Sequence, residues 1–357
     1  MSSAEVSREG LGGVRPGREA RTWSHEGGDG DGRAARADGA SGGASSEQAS
    51  TQGHTGSSYY GKPIINPPVW EERDIAGYLF TGGLAAGSSV LAAGAELTGR
   101  PALARASKLC ASGAIGVSLV ALVHDLGRPA RFVNMLRVFK PTSPMNMGSW
   151  LLGVYGPLNA IATATDVLGV APRAGRAASV AAALTGSGVS SYTAALIANT
   201  AVPAWHEGHR ELPFVFAGSA AAAGAGFGML AAPVRESEPA RRLAVAGVAA
   251  ELVCERLLER RLGMVAETLH EGVAGRRMKL AKALTAAGAV GAATLASRSR
   301  LVASLSGAAL LAGSAFTRFG VFAAGMASAE DPKYTVEPQR RRLAERAAAD
   351  AAQPDPR

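Results

Sequence analysis

The chain has 357 residues and a net charge of +8, with 47% hydrophobic, 5% aromatic and 18% charged residues. A soluble protein of this length usually carries about 25% charged residues. The two cysteines, Cys110 and Cys254, lie far apart without a CxxC pattern, which excludes a cysteine-ligated zinc or iron–sulfur site in this chain. The cations flank apolar segments and form no aromatic-interleaved patch, so the basic charge indicates a membrane and not a nucleic acid.

The first 58 residues are rich in Gly, Ser, Ala and Arg and contain almost no large apolar side chain. Such a segment buries too little surface to offset the entropy cost of ordering it. Residues 1–58 are therefore predicted to be a disordered low-complexity tail. Residues 59–330 are predicted to form a transmembrane domain, and residues 331–357 a basic C-terminal tail.

Eight apolar segments follow the tail, most of them close to the roughly 20 residues that a helix needs to cross a membrane. They predict an all-α integral membrane bundle with about eight transmembrane helices. An alanine-rich soluble bundle is the alternative, but the segment lengths and the flanking cations favour a membrane. The segments are Ile75–Leu97, Leu109–Val123, Trp150–Leu168, Ala178–Thr200, Leu212–Ala232, Leu243–Leu262, Leu280–Ala296 and Leu301–Met326.

Two features qualify this topology. The sixth segment contains ELVCERLLERR, which is also compatible with a charged amphipathic helix on the membrane surface. Cations are more frequent in the loops on the side of both termini, and this bias favours cytoplasmic termini. We therefore expect a multi-pass protein of the cytoplasmic membrane.

The stretch HDLGRPARFVNMLRVFKPTSPMNMGSW, from His124 to Trp150, concentrates cations, prolines and proton-exchanging groups between two apolar segments. One interpretation is a basic loop along the membrane surface, with Trp150 as an interfacial anchor. The other is a pocket at the membrane edge, in which His124 and Asp125 exchange protons with a ligand and Arg128 shapes the field. Histidine suits that role because it titrates near neutral pH.

The histidines decide whether the chain could hold its own electron carrier. None of the six lies in the middle of a predicted span, where the axial ligands of a haem would have to be. His206 and His209 have a metal-like spacing, but neither an HExxH pattern nor a cysteine pair accompanies them. No haem, iron–sulfur cluster or metal site is predicted, so electrons would have to be exchanged with a partner at one face of the membrane.

Two charged residues fall inside predicted spans. Glu251 and Arg318 would each cost about 2.5–3.5 kcal/mol at a helix centre, and such residues usually face the bundle interior. They are candidates for a proton path. A structural ion pair is the alternative for both, and a position at the membrane surface is a further alternative for Glu251.

Four separated motifs occur in a fixed order: GYLFTGGLAAG (Gly77–Gly87), DLGRPARF (Asp125–Phe132), PTSPMNMGSW (Pro141–Trp150), and SYTAALIANTAVPAW with LPFVFAGS after it. Over about residues 59–326 the chain therefore resembles the NrfD family, the membrane subunits of polysulfide-reductase-type and related molybdenum oxidoreductase complexes. The resemblance implies a membrane subunit that exchanges electrons with menaquinone or another quinone. It also implies two partners, a ferredoxin-like iron–sulfur subunit and a molybdopterin subunit that carries out catalysis.

The resemblance points to individual residues as well. A Tyr-Thr motif on the fourth helix lies near the quinone in this family, and Tyr192 matches its tyrosine. A phenol can hydrogen-bond a quinone carbonyl without bringing charge into the membrane. Residues just before the first helix also approach the quinone, which makes Trp70, Glu71 and Asp74 candidates. The alternatives are an interior tyrosine bonded to a neighbouring helix, and a solvated helix start where acids are favoured.

Two other functions are compatible with a multi-helix membrane chain. A secondary transporter would show inverted repeats and broken helices near the midplane, whereas the halves show no evident repeat and Pro157 has no counterpart. A purely structural anchor would hold the iron–sulfur partner without a quinone site. No residue of this chain is predicted to be catalytic.

Overall fold

The structure, a computed structural model, describes residues 64–125 and 134–352, except the side chains of Asp125 and of residues 349–352. The predicted tail over residues 1–58 lies outside these ranges. Regular structure within them is entirely helical. The helices are α1 (Glu72–Leu97), α2 (Pro101–Asp125), α3 (Pro144–Leu168), α4 (Pro172–Ala198), α5 (Pro203–His206), α6 (Leu212–Ala231), α7 (Glu238–Leu262), α8 (Glu267–His270), α9 (Gly272–Thr294), α10 (Arg300–Glu330) and α11 (Lys333–Ala352).

Long helices lie at all eight predicted segments, namely α1 to α4, α6, α7, α9 and α10. Five of them, α1, α2, α4, α6 and α10, are long and apolar enough to cross a membrane. Charged residues interrupt α7 and α9, and α3 contains Pro157 and two asparagines. The all-α membrane bundle is thus confirmed, whereas a count of eight spanning helices stays a prediction. The described part of the predicted C-terminal tail includes helix α11.

Proline and capping residues explain where several helices begin and end. α3 begins at Pro144, where proline's fixed φ and missing N–H do no harm, and the Ser143 side chain caps the same turn. α3 ends at Leu168 and is capped by Gly169, which has a φ of 68° that glycine adopts without steric cost. Ser299 caps α10 in the same way as Ser143 caps α3.

Helix α1 is the central helix and packs against α2, α4, α6 and α10. At its crossing with α6 the two backbones touch: a Cβ atom on Gly87 would collide with the Ala220 carbonyl, and one on Gly224 would collide with the backbone of Gly87. Small residues at such a crossing let two backbones approach, which is how helices associate in lipid. We call the end of the bundle where α1 begins the upper end; an apolar cluster there includes Ala76, Trp205 and Leu262.

A buried ion cluster joins α1, α2 and α3 towards the opposite end. α2 begins at Pro101, so Lys108 lies inside the helix and is only 4% exposed. Its Nζ is 2.5 Å from Glu96 Oε1 and 3.2 Å from Asp166 Oδ1. Arg105 Nε also lies 3.4 Å from Asp166 Oδ2, so two cations of α2 neutralise two carboxylates from the neighbouring helices.

Replacing Lys108 with alanine should destabilise the protein by about 3 kcal/mol, because it leaves the partly buried Glu96 carboxylate without its cation and Asp166 with only the exposed Arg105. Thermal unfolding of the purified protein in detergent would measure the change. Lys279→Ala is the matched control, since Lys279 is exposed and belongs to no salt bridge among the described residues. Equal stability of the two variants would contradict this role of Lys108.

Candidate functional site

A narrow, mostly apolar cavity lies at the upper end between α1, α2, α3 and α4. Its volume is about 80 Å³. It collects residues from three of the four motifs singled out in the sequence, as well as Trp70 from the segment before α1. Its lining residues are Trp70, Ile75, Tyr78, Leu79, Leu122, Met135, Met145, Ser149, Leu152, Tyr192, Leu196 and Ile197.

Two tyrosines bring polar groups to this apolar cavity. Tyr192 comes from α4, as predicted, and Tyr78 comes from α1. Tyr78 is 2% exposed, and its hydroxyl has no hydrogen-bonding partner of normal geometry among the described residues. A buried hydroxyl without a partner is costly, so its presence beside a cavity indicates a site for a hydrogen-bond acceptor. Tyr78 was not predicted as a site residue from the sequence, although it lies in the GYLFTGGLAAG motif.

Gly148, near the start of α3, determines where the ring of Tyr192 lies. A Cβ atom at Gly148 would overlap the ring and the hydroxyl of Tyr192. The phenol therefore rests directly against the α3 backbone, which only glycine permits at this position. Gly148 belongs to the PTSPMNMGSW motif, but its role could not be recognised without the position of α4.

Asn146 holds the segment before α3 against the bundle. Its Oδ1 accepts a 2.6 Å hydrogen bond from the backbone N–H of Lys140, and its Nδ2 donates to the carbonyls of Met135 at 2.6 Å and Val138 at 2.8 Å. These bonds satisfy backbone groups that would otherwise lack partners near the membrane. They also hold Met135 in place, which lines the cavity together with Met145.

His124 and Asp74 meet at the rim of the cavity. His124 Nδ1 lies 3.0 Å from Asp74 Oδ2, and the His124 side chain is 75% exposed. Neither residue lines the cavity, but a close neighbour of each does. These neighbours are Leu122, on the same turn as His124, and Ile75, next to Asp74. The structure thus brings together two predicted site residues that are distant in the sequence. The pair lies beside the cavity and is in contact with solvent.

Aromatic residues form one wall of the cavity. Trp70 stacks on Trp205, with ring centroids 5.9 Å apart and an interplanar angle of 16°. Trp205 is buried, and its indole N–H donates a 2.8 Å hydrogen bond to the Val321 carbonyl. Trp205, which was not predicted as a site residue from the sequence, therefore fixes the position of Trp70. Glu71 is an exposed N-cap residue of α1 without a side-chain capping bond.

The remaining predicted site residues lie at the edge of the described structure or outside it. Asp125 is the last residue of α2, and its side chain is not described. Arg128 lies outside the described residues. The rings of His206 and His209 lie near the backbone carbonyls of Ala198 and His206, and no group of metal-binding side chains occurs in the described ranges.

Glu251 and Arg318 lie in a different part of the bundle, between α6, α7 and α10. Glu251 is 2% exposed and accepts a 2.8 Å hydrogen bond from the Thr317 hydroxyl. Arg318 is fully buried, donates a 2.8 Å bond to the Phe216 carbonyl and has its guanidinium carbon 3.7 Å from the Phe216 ring centroid. The salt bridges between described residues do not include a direct pair of these two, although their charges lie close enough to interact.

The fold and the cavity define a class: a helical integral membrane protein with an aromatic, weakly polar pocket at one end of the helix bundle. A family model described as "Polysulphide reductase, NrfD" matches residues 65–328. The chain therefore belongs to the NrfD family, whose members are membrane subunits of molybdopterin oxidoreductase complexes. No curated protein matches the chain.

Replacing Gly148 with alanine should destabilise the protein by about 1–3 kcal/mol, because the new methyl group displaces the Tyr192 ring. Gly156→Ala, on the same helix with open space around it, should leave stability unchanged or raise it. Thermal unfolding in detergent would compare the two. The penalty of Gly148→Ala should disappear in a Tyr192→Ala background, and a penalty that persists there would refute this contact.

Proposed function

We propose that this chain is the quinone-binding membrane subunit of a molybdopterin oxidoreductase complex and that the quinone ring occupies the cavity between Tyr78 and Tyr192. The observation that carries the proposal is the buried Tyr78 hydroxyl, which lies next to the Tyr192 phenol in the same cavity but makes no hydrogen bond of normal geometry with any described residue. Two phenols can donate hydrogen bonds to carbonyl oxygens of a flat ring. Because phenols are neutral, the site needs no buried charge.

The shape of the cavity suits a ring better than a whole lipid. Its volume of about 80 Å³ is well below the roughly 300 Å³ of pockets that enclose a complete small ligand. An isoprenoid tail would therefore remain among the lipid chains. Met135 and Met145 form part of the wall, and their flexible thioethers can adjust to a ring that enters from the membrane.

Proton exchange is assigned to the rim of the pocket. A bound quinone takes up two electrons and two protons, or gives them up in the reverse direction. The solvent-exposed His124, held by Asp74, can carry protons between water and the pocket because an imidazole can both accept and donate a proton. Asp125 and Arg128 follow in the same segment, and we assign them a supporting electrostatic role at this rim. Glu71, exposed at the start of α1, is the most peripheral member of the set.

Electrons must be exchanged with a partner. The chain has only two cysteines, and they are distant, so a partner iron–sulfur subunit would supply the metal centre, with a molybdopterin subunit beyond it. We infer that the iron–sulfur subunit docks at the upper end, since the proposed quinone site lies there. The complex would belong to the cytoplasmic membrane, with menaquinone or another quinone as the lipid-soluble carrier.

Tyr192→Phe and Tyr78→Phe should each weaken binding of a quinone analogue about tenfold, the effect of losing one hydrogen bond worth about 1.4 kcal/mol. A fluorescent hydroxyquinoline analogue titrated into the purified chain in detergent or in membranes would measure affinity. Tyr155→Phe is the matched control, because the Tyr155 hydroxyl lies 2.7 Å from the Ser89 hydroxyl and Tyr155 does not line the cavity.

The outcomes separate the candidate functions. Binding that is unaffected by both pocket variants would place the quinone elsewhere. No binding of the analogue by the unmodified chain would instead support the structural anchor that binds only the partner subunit.

A further inference from the structure

The upper half of α7 carries a row of acidic residues on one face. Glu251, Glu255 and Glu259 are spaced by four residues, which places them one above the other along a helix. Glu251 and Glu255 are only 2% and 4% exposed. Charged side chains so deep in a membrane bundle are functional in most cases.

Basic residues from the neighbouring helices continue this row to the surface. Lys282 of α9 lies 2.8 Å from Glu259 and 3.2 Å from Glu255, although the second contact lacks hydrogen-bond alignment. His270 Nε2 lies 3.6 Å from Glu259, and its side chain is 49% exposed. The row therefore reaches from the buried Glu251 to water at the upper end of the bundle.

The inner end of the row contains buried polar atoms without partners. Glu251 Oε2 and the Nε and Nη1 atoms of Arg318 are fully buried and make no hydrogen bond with any described residue. In a membrane interior such groups must be satisfied, by water or by a change of protonation. The charged and titratable groups around Glu251 are Arg318 on α10 and Glu255 on α7, while α6 contributes only the Ser219 hydroxyl.

We propose that Glu251 is a proton-binding site between α6, α7 and α10. Protons reach it from the upper end of the bundle through His270, Glu259, Lys282 and Glu255. The transfer is a simple protonation: a proton enters from water, passes along the row, and forms an O–H bond on the Glu251 carboxylate. Arg318 supplies the positive charge that compensates the ionised form. The site is separate from the cavity lined by Tyr78 and Tyr192, so it does not depend on quinone binding there.

A hydrophobic carbodiimide tests the site in the full-length chain in membrane vesicles, because this reagent couples to protonated carboxyl groups in apolar surroundings. Mass spectrometry should find the adduct on Glu251, with labelling that falls as the pH is raised, because the reagent couples only to the protonated carboxyl group. Glu251→Gln should remove the adduct, and Tyr192→Phe should leave it unchanged. The absence of labelling at every pH would overturn the proposal, as would protection of Glu251 by sodium ions at constant pH, which would indicate a cation site.

The route is tested by a pH jump followed by timed labelling. Glu255→Gln should slow the response of Glu251 labelling about tenfold or more, which corresponds to a barrier raised by about 1.4 kcal/mol. Glu267→Gln is the matched control, because Glu267 lies at the same end of the bundle but pairs with Lys333 on the surface. A Glu255→Gln variant that responds as fast as the control would refute the route.

Discussion

The close crossing of α1 and α6 at Gly87 and Gly224 is the contact on which the bundle depends. Lipid chains are as apolar as the helix surfaces, so the hydrophobic effect does not hold transmembrane helices together. Backbone contact through glycine supplies packing instead. Because α1 also packs against α2, α4 and α10, this crossing links the half of the bundle that contains the cavity to the half that contains Glu251 and Arg318.

The two halves treat polar groups in different ways. Around the cavity the polar groups are neutral phenols, which cost less to bury than charges once each has a hydrogen bond, and the buried Lys108 of that half lies towards the opposite end with two carboxylates as partners. The other half buries a carboxylate and a guanidinium, which are far more expensive in a membrane and remain there only with compensating interactions. Arg318 lies at the boundary between the two halves. Its Nη2 donates a hydrogen bond to the Phe216 carbonyl of α6, and a Cβ atom added to Gly83 of α1 would lie only 3.1 Å from the same nitrogen. Glycine at position 83 leaves room for the guanidinium.

The positions of the helices were largely predictable, because apolar length and flanking cations are properties of local sequence. The sixth segment was ambiguous for the same reason: ELVCERLLERR has an amphipathic pattern whether its acidic face meets water or other helices. The structure places Glu251 and Glu255 on a buried face of a continuous helix, which excludes exposure of these side chains on the bundle surface. Tyr192 and Trp70 were found through the resemblance and do line the cavity. Tyr78, Gly148 and Trp205 were missed, since each is an ordinary residue for a membrane helix.

The sequence by itself determined the class of protein, the order of its helices and its family, because hydrophobic length and local motifs require no knowledge of which helices touch. Only the tertiary structure decided which polar groups share a site. It joined His124 to Asp74 and brought the hydroxyl-bearing ring of Tyr192 against Gly148, whereas it kept Glu251 and Arg318 away from the cavity. The physical reason is that the pairing of helices depends on shape complementarity between small residues far apart in the chain, such as Gly87 and Gly224, and this leaves no local pattern to read.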